Sequence, residues 1–276
     1  MTHKKTKSPA RFPRFDYREL KGPFDIIGDI HGCFSELCAL LAKLGYRVRK
    51  SDDPNHRFGY EVEPPRGRMV LFVGDFVDRG PASPKVLRLA MSMVEAGTAL
   101  AVIGNHDDKF YRYLKGNRVK LQHGLEKTVA QMSQEPPEFW AEVRKFLESL
   151  PHHCVLDGGR LILAHAGLRE RWHYRSSKSV RALCMYGETR DEVDEKGLPV
   201  RKNWGKTYTG SALVVYGHTP VEDPVWQNNT VNIDTGCVYG NKLTALRYPE
   251  LELVSVKAAK VWSVSSYPRT SWPRWR

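Results

Sequence analysis

The chain has 276 residues and a mass of 31.5 kDa, 41% of it hydrophobic and 27% charged residues, which excludes a disordered or collagen-like protein and is long enough to bury a sizeable core. No apolar run approaches the roughly 20 residues that span a bilayer. The opening MTHKKTKSPARFPRF lacks the apolar centre of a secretory signal, so a cytoplasmic protein with no membrane partner is expected. The net charge of +12 and pI of about 9.5 favour polyanionic ligands through long-range attraction. Five cysteines without a CxxC pair argue against a disulfide framework or a cysteine zinc site and read as buried thiols.

FDIIGDIHG, from Phe24, is a short apolar run ending in glycine and polar residues, after which Phe34, Leu37, Leu40, Leu41 and Leu44 recur at helical spacing. The same order returns in RMVLFVGDFVDRG with a helix from Ser83 to Ala96, and again in ALAVIGNHD before a helix near Lys109. Three such units predict an α/β sheet with its loops gathered at the carboxyl ends of the strands. Residues 121–150 read as helical, with EPPEFWAEVRKFLESL starting at a proline pair and stopping before Pro151. Beyond it, HHCVLDGG and RLILAHAGL read as a hairpin about Gly158 and Gly159, and ALVVYGHTP, TVNIDTG, KLTALRYP and LELVSVKA as further strands. GETRDEVDEKGLPVRKNWGK, from Gly187, is polar and glycine-punctuated and reads as a long functional loop.

Apolar strands repeatedly end in the same chemistry: Asp29 and His31, then Asp75, Asp78 and Arg79, then Asn105 and His106, then His165, then His218. In an open α/β sheet such positions converge on one crevice. Any one of these motifs alone fits a capped turn or a satisfied core histidine, and Asp107 and Asp108 read as caps of the following helix. All five in this order do not. Mixed oxygen and imidazole ligands suit manganese, iron, nickel or zinc, and the number suffices for two ions sharing a carboxylate. Two ions roughly 3.5–4 Å apart lower the pKa of a bridging water and neutralise phosphoryl oxygens, while an arginine fork grips the remaining ones.

Together GDIHG, GDFVDRG, GNHD, AHAG and GHTP resemble the calcineurin-like metallophosphoesterases, in the branch of serine/threonine protein phosphatases and symmetrical dinucleoside tetraphosphatases. YGETRDEVDEKGLPVR, VVYGHTP and NIDTGCVYGNKLTALRYPELELVSV are similar to the phosphatase module of bacterial polynucleotide kinase/phosphatase RNA-repair proteins. The resemblance implies an α/β fold of two mixed β-sheets packed face to face with helices outside. It implies that Asp29, His31 and His218 hold one metal, Asn105 and His165 the other, with Asp75 bridging. His106 would be the general acid, oriented by Asp78, and Arg79 would bind phosphate. Asp234 would be an acidic residue beside the site or a structural cap. The cofactors implied are two divalent transition-metal ions, manganese first, with nickel, iron or zinc as alternatives.

No GxxxxGK[ST] is present, so the kinase half of the repair proteins is missing. Arg190 either contacts phosphate or pairs with Asp191, Glu192 or Glu195; pairing is the expectation. The chain is expected to divide into a basic arm (1–20), a catalytic domain (21–260) and an aromatic, basic tail (261–276). In the tail Tyr267, Trp272 and Trp275 alternate with Arg269, Arg274 and Arg276; they either patch the surface or stack on single-stranded nucleic acid. Lys4, Lys5, Lys7, Arg11 and Arg14 form either a phosphate-tracking arm or a solubilising end, the usual role of a charge run, and His152 and His153 read as structural. The expected substrates are terminal or cyclic phosphates of RNA or nucleotides. Symmetrical hydrolysis of dinucleoside tetraphosphates, dephosphorylation of serine or threonine phosphoproteins and a non-catalytic nucleic-acid-binding role are the rivals, and protein partners are not legible.

Overall fold

The computed structural model describes residues 14–195, 197 and 199–273. Lys4, Lys5, Lys7, Arg11, Arg274, Trp275 and Arg276 therefore lie outside the described residues. The first half of the chain runs β1 (Asp16–Tyr17), β2 (Phe24–Ile27), α1 (Phe34–Leu44), β3 (Arg47–Lys50), β4 (Tyr60–Glu63), β5 (Met69–Phe72), α2 (Ser83–Glu95), β6 (Ala99–Ala101), α3 (Asn105–Leu114), α4 (Leu125–Met132) and α5 (Pro137–Ser149). The second runs β7 (His153–Leu156), β8 (Leu161–Ala164), α6 (Lys178–Tyr186), β9 (Thr189–Val193), β10 (Pro199–Arg201), β11 (Leu213–Tyr216), β12 (Val225–Gln227), β13 (Thr230–Asn232), β14 (Lys242–Tyr248) and β15 (Glu252–Lys257).

Two mixed sheets result, as expected: β15-β14-β2-β5-β6 and β1-β7-β8-β11-β13-β12. The three repeating units supply β2, β5 and β6, which pair in parallel. In the second sheet β8, β11 and β13 run parallel, and β7 returns on β8 as the expected hairpin. Alternation sorts each strand. Phe24, Ile26, Leu71 and Val73 face Cys154, Leu163, Val215 and Val231 of the opposite sheet, while Ile27, Val70 and Phe72 face the layer of helices. Burial on both faces explains why these strands read as nearly unbroken apolar runs. The outer face of the second sheet is covered by Trp204, Tyr208 and Ala212 rather than by a long helix.

Two stretches depart from expectation. Asp16 and Tyr17, within the stretch expected to be a free arm, pair with Val155 and Leu156 at the sheet edge. The stretch expected as a loop from Gly187 contains an antiparallel ribbon, Thr189 opposite Arg201 and Val193 opposite Pro199. The short β3–β4 ribbon, also antiparallel, has no counterpart in the sequence reading.

Candidate active site

Because β2, β5 and β6 are parallel, the residues after them emerge at one edge, and the ends of β8, β11 and β13 meet them there from the second sheet. Asp29, Asp75 and Asn105 come from the first sheet, and His165, His218 and Asp234 from the second. The backbone turns sharply to present them. His31, Asp75, Asp78, Arg79 and His218 have φ of 45°, 53°, 74°, 69° and 72°, a region that costs a non-glycine residue about 1–2 kcal/mol. The neighbouring glycines leave no spare room: a Cβ on Gly104 would sit 2.1 Å from Asp75 Oδ1.

The centre of the site is one carboxylate oxygen. Asp75 Oδ2 lies 3.5 Å from His31 Nε2 and 3.4 Å from His165 Nε2, between the two imidazoles, while Oδ1 accepts from the His106 N–H at 2.9 Å. The two rings are oriented from behind, His31 Nδ1 on Val77 O at 2.8 Å and His165 Nδ1 on Val73 O at 3.0 Å. Burial holds the His165 pKa down to about 3 and that of His31 well below the usual range, so each ring is neutral. Its single proton is used at Nδ1, which leaves the Nε2 lone pair facing inward.

Those lone pairs face other ligand atoms. His165 Nε2 is 3.0 Å from Asn105 Oδ1 and 3.1 Å from His218 Nδ1, and His218 Nε2 is buried without a partner among the described residues. Burial, reinforced by neighbouring carboxylates, pushes Asp29 and Asp75 well above the usual range. Burial also raises Asp234 to about 6. Converging lone pairs and crowded buried carboxylates are unfavourable alone and are what divalent cations offset. His31, Asp75 and His106 form one cluster of metal-capable donors and Asp75, His165 and His218 a second, so the residues present fit two ions sharing Asp75.

Beside this centre, His106 Nδ1 meets Asp78 Oδ2 at 2.6 Å, and Thr128 Oγ1 donates to Asp78 Oδ1 at 2.7 Å. Burial raises Asp78 to about 7 and holds His106 well below its usual range. Arg79 Nη1 donates to His31 Nε2 at 2.6 Å, and its guanidinium lies 5.4 Å from the Tyr239 ring centroid. Asp234 sits beside Asp29 and also caps its own turn, Oδ1 accepting from the Gly236 N–H at 3.0 Å.

His218 is expected with the ion of Asp29 and His31; in the structure its ring lies against His165, and Asp29 receives its backbone N–H, at 3.2–3.3 Å. The strand end after which a ligand falls shows which sheet carries it, not which way the ring turns. Arg190 is exposed on β9 and pairs with none of Asp191, Glu192 or Glu195 among the described residues, so the expected pairing does not form. Arg201 escapes the sequence reading, and Asp107 is read there only as a helix cap. Arg201, on the facing strand, donates from Nη1 to Tyr186 O at 2.7 Å and lines a cleft with His218, Lys202 and Tyr186. The charges of Arg79, Asp234 and Asp75 all bear on it. Asp107 caps its helix through the Gly104 N–H at 3.0 Å and also accepts from the N–H groups of Asp75 at 2.7 Å and Phe76 at 2.9 Å.

Among the described residues no helix is long and apolar enough to cross a membrane. The chain is 48% identical over 237 residues to the asymmetrical bis(5'-nucleosyl)-tetraphosphatase PrpE of Anoxybacillus flavithermus, covering 84% of this chain and 93% of that one. It is 42% identical over 248 residues to the Bacillus subtilis protein of the same name, covering 88% and 98%. A solved structure of a candidate diadenosine tetraphosphatase superposes with a TM-score of 0.63 at 25% identity, over 90% of this chain and 98% of that one. The model of the calcineurin-like phosphoesterases, hydrolases that work with two metal ions, matches residues 22–254, and the chain belongs to that family.

Proposed function

We propose that this hydrolase cleaves dinucleoside tetraphosphates asymmetrically, into a nucleoside triphosphate and a nucleoside monophosphate. The observation that carries the reading is the likeness to tetraphosphatases over nearly their whole length. Terminal or cyclic phosphates of RNA, the first expectation from the sequence, stand second. The symmetrical cleavage named as a rival gives way to the asymmetrical one.

Asp29, His31 and Asp75 would hold one ion, and Asp75, Asn105, His165 and His218 the other; manganese is our first choice, with nickel, iron or zinc as alternatives. When bound, two such ions activate water and neutralise the phosphoryl oxygens under attack. Arg79 and Arg201 flank the cleft and grip non-bridging oxygens of the phosphate chain, for which the guanidinium fork is suited. With Asp78 raised to about 7, the Asp78–His106 pair takes up a proton between Oδ2 and Nδ1 near neutrality. The ring then presents the proton on Nε2 to the leaving oxygen. Asp234, beside Asp29, caps its own turn through the Gly236 N–H and would add negative charge at the edge of the metal site.

The test is a comparison of kcat/KM for diadenosine tetraphosphate, an RNA 3′-phosphate, an RNA 2′,3′-cyclic phosphate and a phosphothreonine peptide, with metal-stripped protein reloaded with Mn²⁺ or Ni²⁺. The tetraphosphate is expected to lead by at least tenfold. A lead for either RNA end would replace this reading with end healing.

A further inference from the structure

The aromatic, basic stretch, for which patching of the surface and stacking on nucleic acid were both open, is bound down along the site. Trp262 Nε1 donates to Glu36 Oε1 at 2.7 Å, and the N–H groups of Trp262 and Ser263 bond to Val238 O at 3.1 and 3.0 Å. Lys127 Nζ bridges Trp262 O and Arg79 O, at 3.4 and 3.2 Å. Farther on, the Tyr267 hydroxyl donates to Asp194 at the end of β9. Trp272 is buried, packed on Gly236, where a Cβ would meet its ring at 2.2 Å, and edge-on to Tyr239 with centroids 6.0 Å apart. A buried Trp272 is not a surface on which a base can stack.

Both ends of these contacts lead to an arginine. Trp272 backs Tyr239, and Tyr239 faces the Arg79 guanidinium at 5.4 Å. Tyr267 ties down Asp194, on the ribbon whose other strand carries Arg201. Arg79 sits at φ 69° in a turn, its guanidinium held on one side by His31 and facing Tyr239, and β9 is exposed along its whole length. An exposed two-stranded ribbon is marginal in water by itself.

We infer that residues 262–272 form a strap whose Trp272 and Tyr267 are positioning residues, setting Arg79 and Arg201 at the separation a phosphate chain requires. The inference builds on the tetraphosphate reading for Arg201 but reaches Arg79 without it. Loss of the strap leaves the metal ligands in place and loosens the two cations, so it weakens substrate binding more than turnover.

Full-length Tyr267→Phe, Trp272→Phe and Trp272→Ala are compared with wild type, using diadenosine tetraphosphate and nitrophenyl phosphate, with thermal melting as a check on folding. Tyr267→Phe is expected to raise KM for the tetraphosphate about 3- to 10-fold, the net worth of one typical hydrogen bond, with kcat within twofold. Trp272→Ala is expected to raise KM for both substrates, and Trp272→Phe to restore most of it. KM values within twofold of wild type in Tyr267→Phe and in folded Trp272→Ala would overturn the strap. If wild type ignores the tetraphosphate while Trp272→Ala still raises KM for nitrophenyl phosphate, the strap stands for Arg79 and the substrate reading falls.

Discussion

His106 and Asp78 are joined by a 2.6 Å hydrogen bond, Nδ1 to Oδ2, inside the protein. Thr128 occupies the other carboxylate oxygen, so Asp78 has one strong way to face, toward the ring. In His106→Ala the penalty should follow the leaving group: about 10²–10⁴-fold in kcat for alkyl phosphates, which need a proton, and far less for nitrophenyl phosphate. Plotting log kcat against leaving-group pKa for a series of monoesters checks this; parallel lines for wild type and variant would remove His106 from the proton's path.

Asp75 is the one side chain common to both donor clusters. Asp75→Ala should therefore lower the bound metal from two ions per chain to one or none. It should also remove activity by at least about 10³-fold, since the charge stabilisation and the activated water go together. Elemental mass spectrometry of the desalted protein reads the first effect, a steady-state assay the second. Two tightly held ions in Asp75→Ala would contradict the shared-ligand geometry.

Asp107 accepts three backbone N–H groups, two of them on the Asp75 turn. Asp107→Ala should destabilise metal-free protein by roughly 2–4 kcal/mol, because buried donors are left without an acceptor. It should also weaken metal affinity through the displaced Asp75. Urea unfolding of the metal-free protein separates the two effects, and an unchanged midpoint would show the cap to be dispensable.

The motifs were legible because each apolar run of four or so residues stops abruptly at glycine and a charged side chain, as in Val73–Gly74–Asp75. The parallel order of β2, β5 and β6 follows from their intervening helices. Asp107 was half legible: its capping position is local, but its reach to Asp75 joins residues 32 apart. Arg201 was hidden because a glycine-punctuated polar stretch looks the same whether it forms a loop or a ribbon folded back over a cleft. For Trp272 the sequence left two readings open, a patch on the surface or a stacking face, since the cavity it fills is made by Gly236 and Tyr239, and nothing near it in sequence announces that. The His218 ring turned toward His165 by side-chain rotation, which spacing does not encode.

His153 offers a test of pH dependence away from the metal ligands. It is buried in β7, bonded through Nε2 to His173 O at 2.8 Å, and burial lowers its pKa to about 4. Between the ordinary value of about 6.5 and about 4 the unfolded chain binds this proton and the native one does not, so stability falls as pH drops through that window. It is flat above it and below it. The loss from this group should total about 3 kcal/mol, from a window of about 2.5 pH units. His153→Gln, which can keep the donor, should flatten that part of the urea stability curve measured from pH 7.5 to 4.5; an unchanged slope would place the acid sensitivity elsewhere.

The most direct test is to identify the products of diadenosine tetraphosphate by ion-exchange chromatography at early times, with the Mn²⁺-loaded protein. Equal amounts of ATP and AMP are predicted. Two molecules of ADP per substrate would contradict asymmetric cleavage, and intact tetraphosphate beside rapid turnover of an RNA 3′-phosphate would contradict the nucleotide reading altogether.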